Sequence, residues 1–138
     1  MKVVIDTNVI ISSLLSSSGP PAKIISLWEQ QKIEVVASTE IIREYEEVLI
    51  RLHSAYDKIT KNEINKFIKG VRQFSIITKP QKHFNVVLKD KDDNVFIDCA
   101  VSESVQFIIS GDKHLLSIGE FQHILILTPT KFLQKYSF

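Results

Sequence analysis

The chain has one cysteine, Cys99, so no internal disulfide can form, and its four histidines, His53, His83, His114 and His123, show no zinc-type spacing. Zinc and thiol chemistry are therefore not expected. No apolar run approaches the roughly 20 residues that a membrane helix requires. The chain enters a strand-like stretch at once, without a signal-peptide pattern, so no membrane association and a cytoplasmic location are expected. It also lacks internal repeats, low-complexity tracts and linker-like segments. One domain over residues 1–138 is expected, long enough to bury a core.

Charge is nearly balanced, at a formal +1, but its distribution is uneven. Residues 51–91 carry ten Lys/Arg against three acidic residues, a local +7, and the remainder carries seven basic and thirteen acidic residues, or −6. A basic middle with acidic flanks suits a polyanion in one place and cations in another. Taken alone, the basic segment is more simply read as a solvated helical face.

Apolar residues alternate between strand-like and helical spacing. Val3–Ile5, Ile33–Ala37, Ser75–Thr78, Gln106–Ser110 and Ile124–Leu127 read as strands. Between them lie helical patterns: Val9–Ile11, Ala22–Gln31, a helix capped by Ser38 or Thr39 running to about Arg51, and one opened by the capping box Thr60–Glu63. A helix from Asn94 to about Ser104 and a last one started by Thr128-Pro129 complete the set. Strands alternating with helices predict an α/β sandwich with a mainly parallel sheet.

In such sheets the ligand crevice lies at the carboxyl ends of the strands. Four acidic residues meet that condition. Asp6 follows the first strand, Glu44 lies about two turns into the helix after the second, Asp93 begins the helix before the fourth, and Asp112 follows the fourth in "SGDKH". Asp6 and Asp93 can each also be read as simple helix caps. Helical geometry sets Glu44 on the shoulder of the stripe Ile41, Tyr45 and Val48, and sets Asp93 along the stripe Phe96, Ile97 and Ala100. The same geometry turns Asp98 away, into solvent.

Carboxylates that converge repel one another and need a compensating cation. Oxygen donors without His or Cys select Mg²⁺ or Mn²⁺, ions suited to phosphodiester hydrolysis. Lys61, Lys66, Lys69 and Arg72 project from the capping-box helix, and Lys91 and Lys113 flank the acidic segments, so these six are candidate contacts for a nucleic-acid backbone.

Taken in order, "VIDTNVIISSLL", "ASTEIIREYEEVL", "DKDDNVFIDCA", "FIISGDKHLL" and "ILILTPTKFL" resemble the PIN-domain ribonucleases, the fold of VapC-type toxins, over nearly the whole chain. The resemblance implies a three-layer α/β/α sandwich with a helical insertion in the middle. It implies an acidic site of Asp6, Glu44, Asp93 and Asp112, with Asp6, Asp93 and Asp112 as ligands of Mg²⁺ or Mn²⁺. Asn8, Asn94 and Ser110 would orient these groups. Lys91 stands where the family usually has proline, and Ser110 where it usually has threonine, which keeps the hydroxyl. The implied activity is endonucleolytic cleavage of single-stranded RNA, with a cognate antitoxin protein as a partner and a homo-oligomer as a further expectation. A phosphatase of the haloacid-dehalogenase type would need a second Asp where Asn8 stands, and a receiver domain an acidic pair where Ile5 precedes Asp6. A PIN-like module that grips RNA or protein without cutting is the alternative from a different class.

Overall fold

A computed structural model describes residues 1–56 and 58–136. Its strands are β1 (Lys2–Ile5), β2 (Glu34–Ser38), β3 (Ile76–Thr78), β4 (Phe107–Ile109), β5 (Glu120–Phe121) and β6 (Ile124–Leu127). They form one sheet in the order β3-β2-β1-β4-β6-β5, parallel except for the β5–β6 pair. Seven helices accompany it: α1 (Thr7–Leu15), α2 (Pro20–Glu29), α3 (Thr39–Tyr56), α4 (Lys61–Phe74), α5 (Asn94–Ser102), α6 (Lys113–Leu116) and α7 (Pro129–Lys135). The expected α/β sandwich is what forms. No helix among the described residues is long and apolar enough to cross a membrane.

The chain steps one way from β1 to β3, then jumps back past β1 to β4 and on to β6. Right-handed crossovers put α1–α4 on one face and α5 on the other. Covered on both sides, the central strands have no solvated face, and Val3, Val4, Ile5, Ile108 and Ile109 are all fully buried. That is why β1 and β4 are unbroken apolar runs.

Local signals act where the sequence places them. Thr60 Oγ1 accepts from the Glu63 amide at 3.1 Å, and Glu63 Oε1 accepts from the Thr60 amide at 3.3 Å, closing the capping box of α4. Ser38 Oγ accepts from the Ile41 amide at 3.2 Å at the start of α3. Beyond the short helix α6, which the sequence reading does not include, two elements depart from it. A short strand, β5, pairs with β6 through Gln122 and His123, whose φ angles are +48° and +69°. This two-residue turn has neither the Asn nor the Gly that usually announces it. The second departure is α5, which is buried almost all round, because residues 83–87 pass over the side that the sheet does not cover.

Asp98 consequently lies inside. It is 7% exposed, not solvated as its helical position predicts, and it accepts from the Phe84 amide at 2.7 Å and from His83 Nδ1 at 3.0 Å. The helical wheel gives the direction of Asp98 away from the sheet correctly. It cannot show that another segment of chain lies there.

Candidate metal centre

The order in which the chain adds strands reverses between β1 and β4, and the acidic residues gather at the carboxyl ends of those two parallel strands. The Asp6 amide donates to the Ile109 carbonyl at 2.9 Å, continuing the β1–β4 pairing by one residue past β1. Asp6 is thereby fixed at the floor of the crevice, 3% exposed. Its Oδ2 accepts from Ser110 Oγ at 2.6 Å, while the same hydroxyl accepts from the Asp112 amide at 2.9 Å. Ser110 is itself fully buried and links the two acidic loops.

Glu44 is placed by its neighbours. Tyr45, fully buried, donates its hydroxyl to the carbonyl of Ile5, which sets the register of α3 against the end of β1. Thr7, also buried, donates its hydroxyl to Glu44 Oε2. Sequence reasoning assigns the orienting role near β1 to Asn8. Asn8 is exposed and makes no hydrogen bond to any of these carboxylates, and Thr7 does the orienting instead.

Asp93 precedes α5 at the end of a single 3-10 turn, Lys91–Asp93. Asn94, buried beside it, accepts from the Val86 and Val87 amides, each at 2.9 Å, and donates to the carbonyls of Val87 and Lys91 at 3.2 and 3.1 Å. Its whole amide is used to hold the segment leading into the turn. Asp112 caps α6, accepting from the His114 amide at 3.0 Å.

Asp90, Asp93 and Asp112 offer one carboxylate oxygen each within 4.8 Å of one another. Asp90 is absent from the sequence-derived set. Its signal was the three-residue spacing to Asp93, one turn of a 3-10 helix. Asp6 adjoins this triad, and its negative charge is felt at Asp93. Asp6 and Glu44 lie outside this triad of close oxygens, but the charges of Glu44 and Asp112 are felt at Asp6 and that of Asp6 at Asp93.

The electrostatics follow from burial and crowding. Burial raises the Asp6 carboxyl to about 6; the Ser110 hydrogen bond opposes this, and the charges of Asp112 and Glu44 add to it. Burial, and then the adjoining Asp112 carboxyl, pushes Asp93 well above the usual carboxylate range. Asp112 is held low, first by its hydrogen bond with Asp93 and then by the His114 amide. Asp93 Oδ2 is buried without a donor from any other described residue. Hard oxygen donors at this separation, one of them buried and unsatisfied, fit a divalent cation of the Mg²⁺ or Mn²⁺ class.

The candidate backbone contacts divide. Lys91 and Lys113 are exposed and adjoin the carboxylates in the chain. Lys61, Lys66, Lys69 and Arg72 are exposed on α4. Of these, Lys66 borders an apolar cleft of about 610 Å³ with Trp28, Glu34, Phe67 and Ile76. Glu34 and Ile76 begin β2 and β3, so that cleft opens at the opposite edge of the sheet from the carboxylates.

Comparison with known proteins agrees with this geometry. An uncharacterized protein of Methanocaldococcus jannaschii is 36% identical over 149 aligned positions, which cover 99% of this chain and 92% of that one. The PIN domain matches residues 2–114, from the start of β1 to just past Asp112, and PIN domains are generally metal-dependent nucleases. A match that takes in every carboxylate of the crevice, on a sheet of the matching architecture, makes this chain a member of the PIN domain family.

Proposed function

We propose that this protein is a Mg²⁺- or Mn²⁺-dependent endoribonuclease that hydrolyses phosphodiester bonds of single-stranded RNA in the cytoplasm, as the toxin of a toxin–antitoxin pair. The observation that carries the reading is the linkage from the Asp6 carboxylate through Ser110 Oγ to the Asp112 backbone amide, which ties the two acidic loops together where the charges of Asp6, Asp93 and Asp112 act on one another. A bound ion of this class activates a water, orients a phosphate and offsets charge on the leaving oxygen. Asp6, Asp93 and Asp112 would hold it.

Asp93, which burial and Asp112 hold above the usual carboxylate range, would give up its proton to solvent on binding the ion. Glu44 keeps one oxygen on Thr7 and has the other to accept a proton from the attacking water or to position it. No side chain here is asked to form a covalent bond with substrate. Lys91 and Lys113, both exposed and next to the acidic segments in the chain, would contact the RNA backbone.

The test is incubation of labelled single-stranded RNA with the purified protein in Mg²⁺, in Mn²⁺ and in EDTA, alongside Asp93→Asn. Cleavage by the wild type in the metal arms alone is the expected result. Retention of RNA without cleavage in every arm would identify a binding module instead. The toxin assignment is tested separately: induction should arrest growth of a host for the wild type and not for Asp6→Asn.

A further inference from the structure

We infer that a cavity between the end of β3, the segment that follows it and α5 is a subsite for one nucleotide of the RNA strand, with its phosphate on Lys79 and Lys82 and its base against Phe84. The inference rests on the ribonuclease reading and extends it to residues that this reading does not use. The cavity has a volume of about 280 Å³ and is walled by these three residues with Thr78, Asp98 and Ser102. That is just under the range of about 300–1,000 Å³ for small-molecule sites, which suits a single nucleotide. Thr78 ends β3, which runs parallel to β2 and through it to β1, so the cavity opens at the same edge of the sheet as the carboxylates. Asp98 lies five residues along the chain from Asp93, or about 8 Å at 1.5 Å per helical residue.

Charge and hydrogen bonding fit such an occupant. Residues 79–91 contain four lysines and one acidic residue, Asp90. Lys79, Lys82, Lys89 and Lys91 are all exposed, and among the described residues none of them is paired with a carboxylate. They follow the segment that crosses α5 and ends at the turn carrying Asp93, so a basic track joins the cavity to the metal centre. A track of one sign beside an acidic pocket attracts a polyanion along a defined path. Asp98 brings a carboxylate to the cavity wall, but both its oxygens are taken, by the Phe84 amide and by His83. Thr78 Oγ1 and Ser102 Oγ are hydrogen-bonded to each other. Whichever donates, the other keeps its proton for an acceptor on a base or sugar. Phe84 is half-buried and braced edge-to-face by Phe121, with ring centroids 5.4 Å apart. A fixed aromatic ring is a platform for an unstacked base.

The test is fluorescence anisotropy of a labelled single-stranded RNA in Ca²⁺ across a salt series, with the fold of each variant checked by circular dichroism. Lys79→Gln with Lys82→Gln should bind about tenfold more weakly at low salt and flatten the log–log salt slope by about 1.4, at about 0.7 per phosphate contact. Lys23→Gln with Lys131→Gln removes the same charge from exposed positions on α2 and α7, which pack together, and should stay within about twofold of wild type. Phe84→Leu should bind at least about fivefold more weakly with the wild-type slope, since a stacked base carries no charge. Should Phe84→Leu fail to fold, Phe84→Met must show the same loss. Equal losses in the two lysine variants would reveal a general effect of charge and overturn the subsite. If the wild type binds and cleaves RNA, and either the Lys79–Lys82 pair or Phe84 can be replaced without loss, the subsite is overturned and the ribonuclease reading stands. A wild type that neither binds nor cleaves RNA would overturn both.

Discussion

One hydroxyl spaces two carboxylates: Ser110 Oγ donates to Asp6 Oδ2 at 2.6 Å and accepts from the Asp112 amide at 2.9 Å. Removing it leaves Asp6 buried without its donor and frees the loop that carries Asp112. Ser110→Ala should weaken Mn²⁺ binding by about 10- to 100-fold, the range for losing a group that orients a metal ligand. Ser110→Thr keeps the hydroxyl and should stay near wild type. Thermal shift in a Mn²⁺ series reads both, and equal behaviour of the two variants would remove Ser110 from the centre.

Asp6→Asn and Asp93→Asn should each lower RNA cleavage by about two orders of magnitude or more, the scale for losing a positioned electrostatic group. Both should fold. Without metal each should match or exceed the wild type in thermal stability near neutral pH: Asp6→Asn removes a charge that burial disfavours, and Asp93→Asn replaces a carboxyl that burial and its neighbours hold largely protonated. A large loss of stability in EDTA would mean that these carboxylates serve the fold and not a cation.

The pH dependence has a definite sign. Asp6 has a folded pKa of about 6, raised above its value in the unfolded chain. A raised carboxyl means that the folded state holds more protons, so the stability contributed by this group is present below about pH 4 and is lost as pH rises through about 6. The size is on the order of 3 kcal/mol, since one pKa unit is worth about 1.4. Asp93 acts in the same direction at higher pH. Asp112, held low, acts in the opposite direction, at the acid end only. Metal-free protein should therefore unfold at lower temperature as pH is raised from 5 to 8, while Mn²⁺ affinity climbs over the same range. Scanning calorimetry at several pH values, with EDTA and with Mn²⁺, checks both halves.

Asp98→Ala should cost about 1–3 kcal/mol by leaving the Phe84 amide without its acceptor inside the fold. Asp98→Asn keeps an acceptor and loses only the carboxylate's contact with His83, whose side chain is 74% exposed, so its cost should be small. Urea denaturation measures the difference. If Asp98→Ala is neutral, the 83–87 segment is not held from below.

Two lysine pairs separate two paths for RNA. Replacing Lys91 and Lys113 together by Gln should flatten the log–log salt dependence of RNA binding by about 1.4 units, at about 0.7 per phosphate contact for single strands. Replacing Lys66 and Lys69 should have less effect, because Lys66 borders the cleft at the far edge of the sheet. Binding measured in Ca²⁺ across a salt series ranks the pairs, and the opposite ranking would put the RNA along α4.

The strands and helix caps were legible because they are local. Three residues of β1 buried on both faces must be apolar, and a capping box is read over four positions. The hairpin of β5 and β6 was not legible, since Gln122 and His123 adopt positive φ without the residues that favour it. At the centre, residues that follow strands could be found from strand order alone. Thr7, Tyr45 and the surroundings of Asp98 depend on which distant segment lies opposite, and helical periodicity within one segment carries no information about its neighbour. Asn8 shows the same limit: it is adjacent to Asp6 in sequence, and its side chain is exposed.

The pairing of β1 with β4 has a consequence in time. A ribosome adds about 5–20 residues each second, so the 104 positions separating Asp6 from Ser110 correspond to roughly 5–20 s of synthesis. During that interval β1 can pair with β2, and Asp6 and Glu44 already exist, but the other wall of the crevice has not been made. Closing so long a loop is slow compared with forming the helices between its ends. The centre is thus completed late, when β4 docks on β1. A nascent chain stalled before residue 107 lacks Asp112, Ser110 and the strand that carries them, and cannot complete the centre.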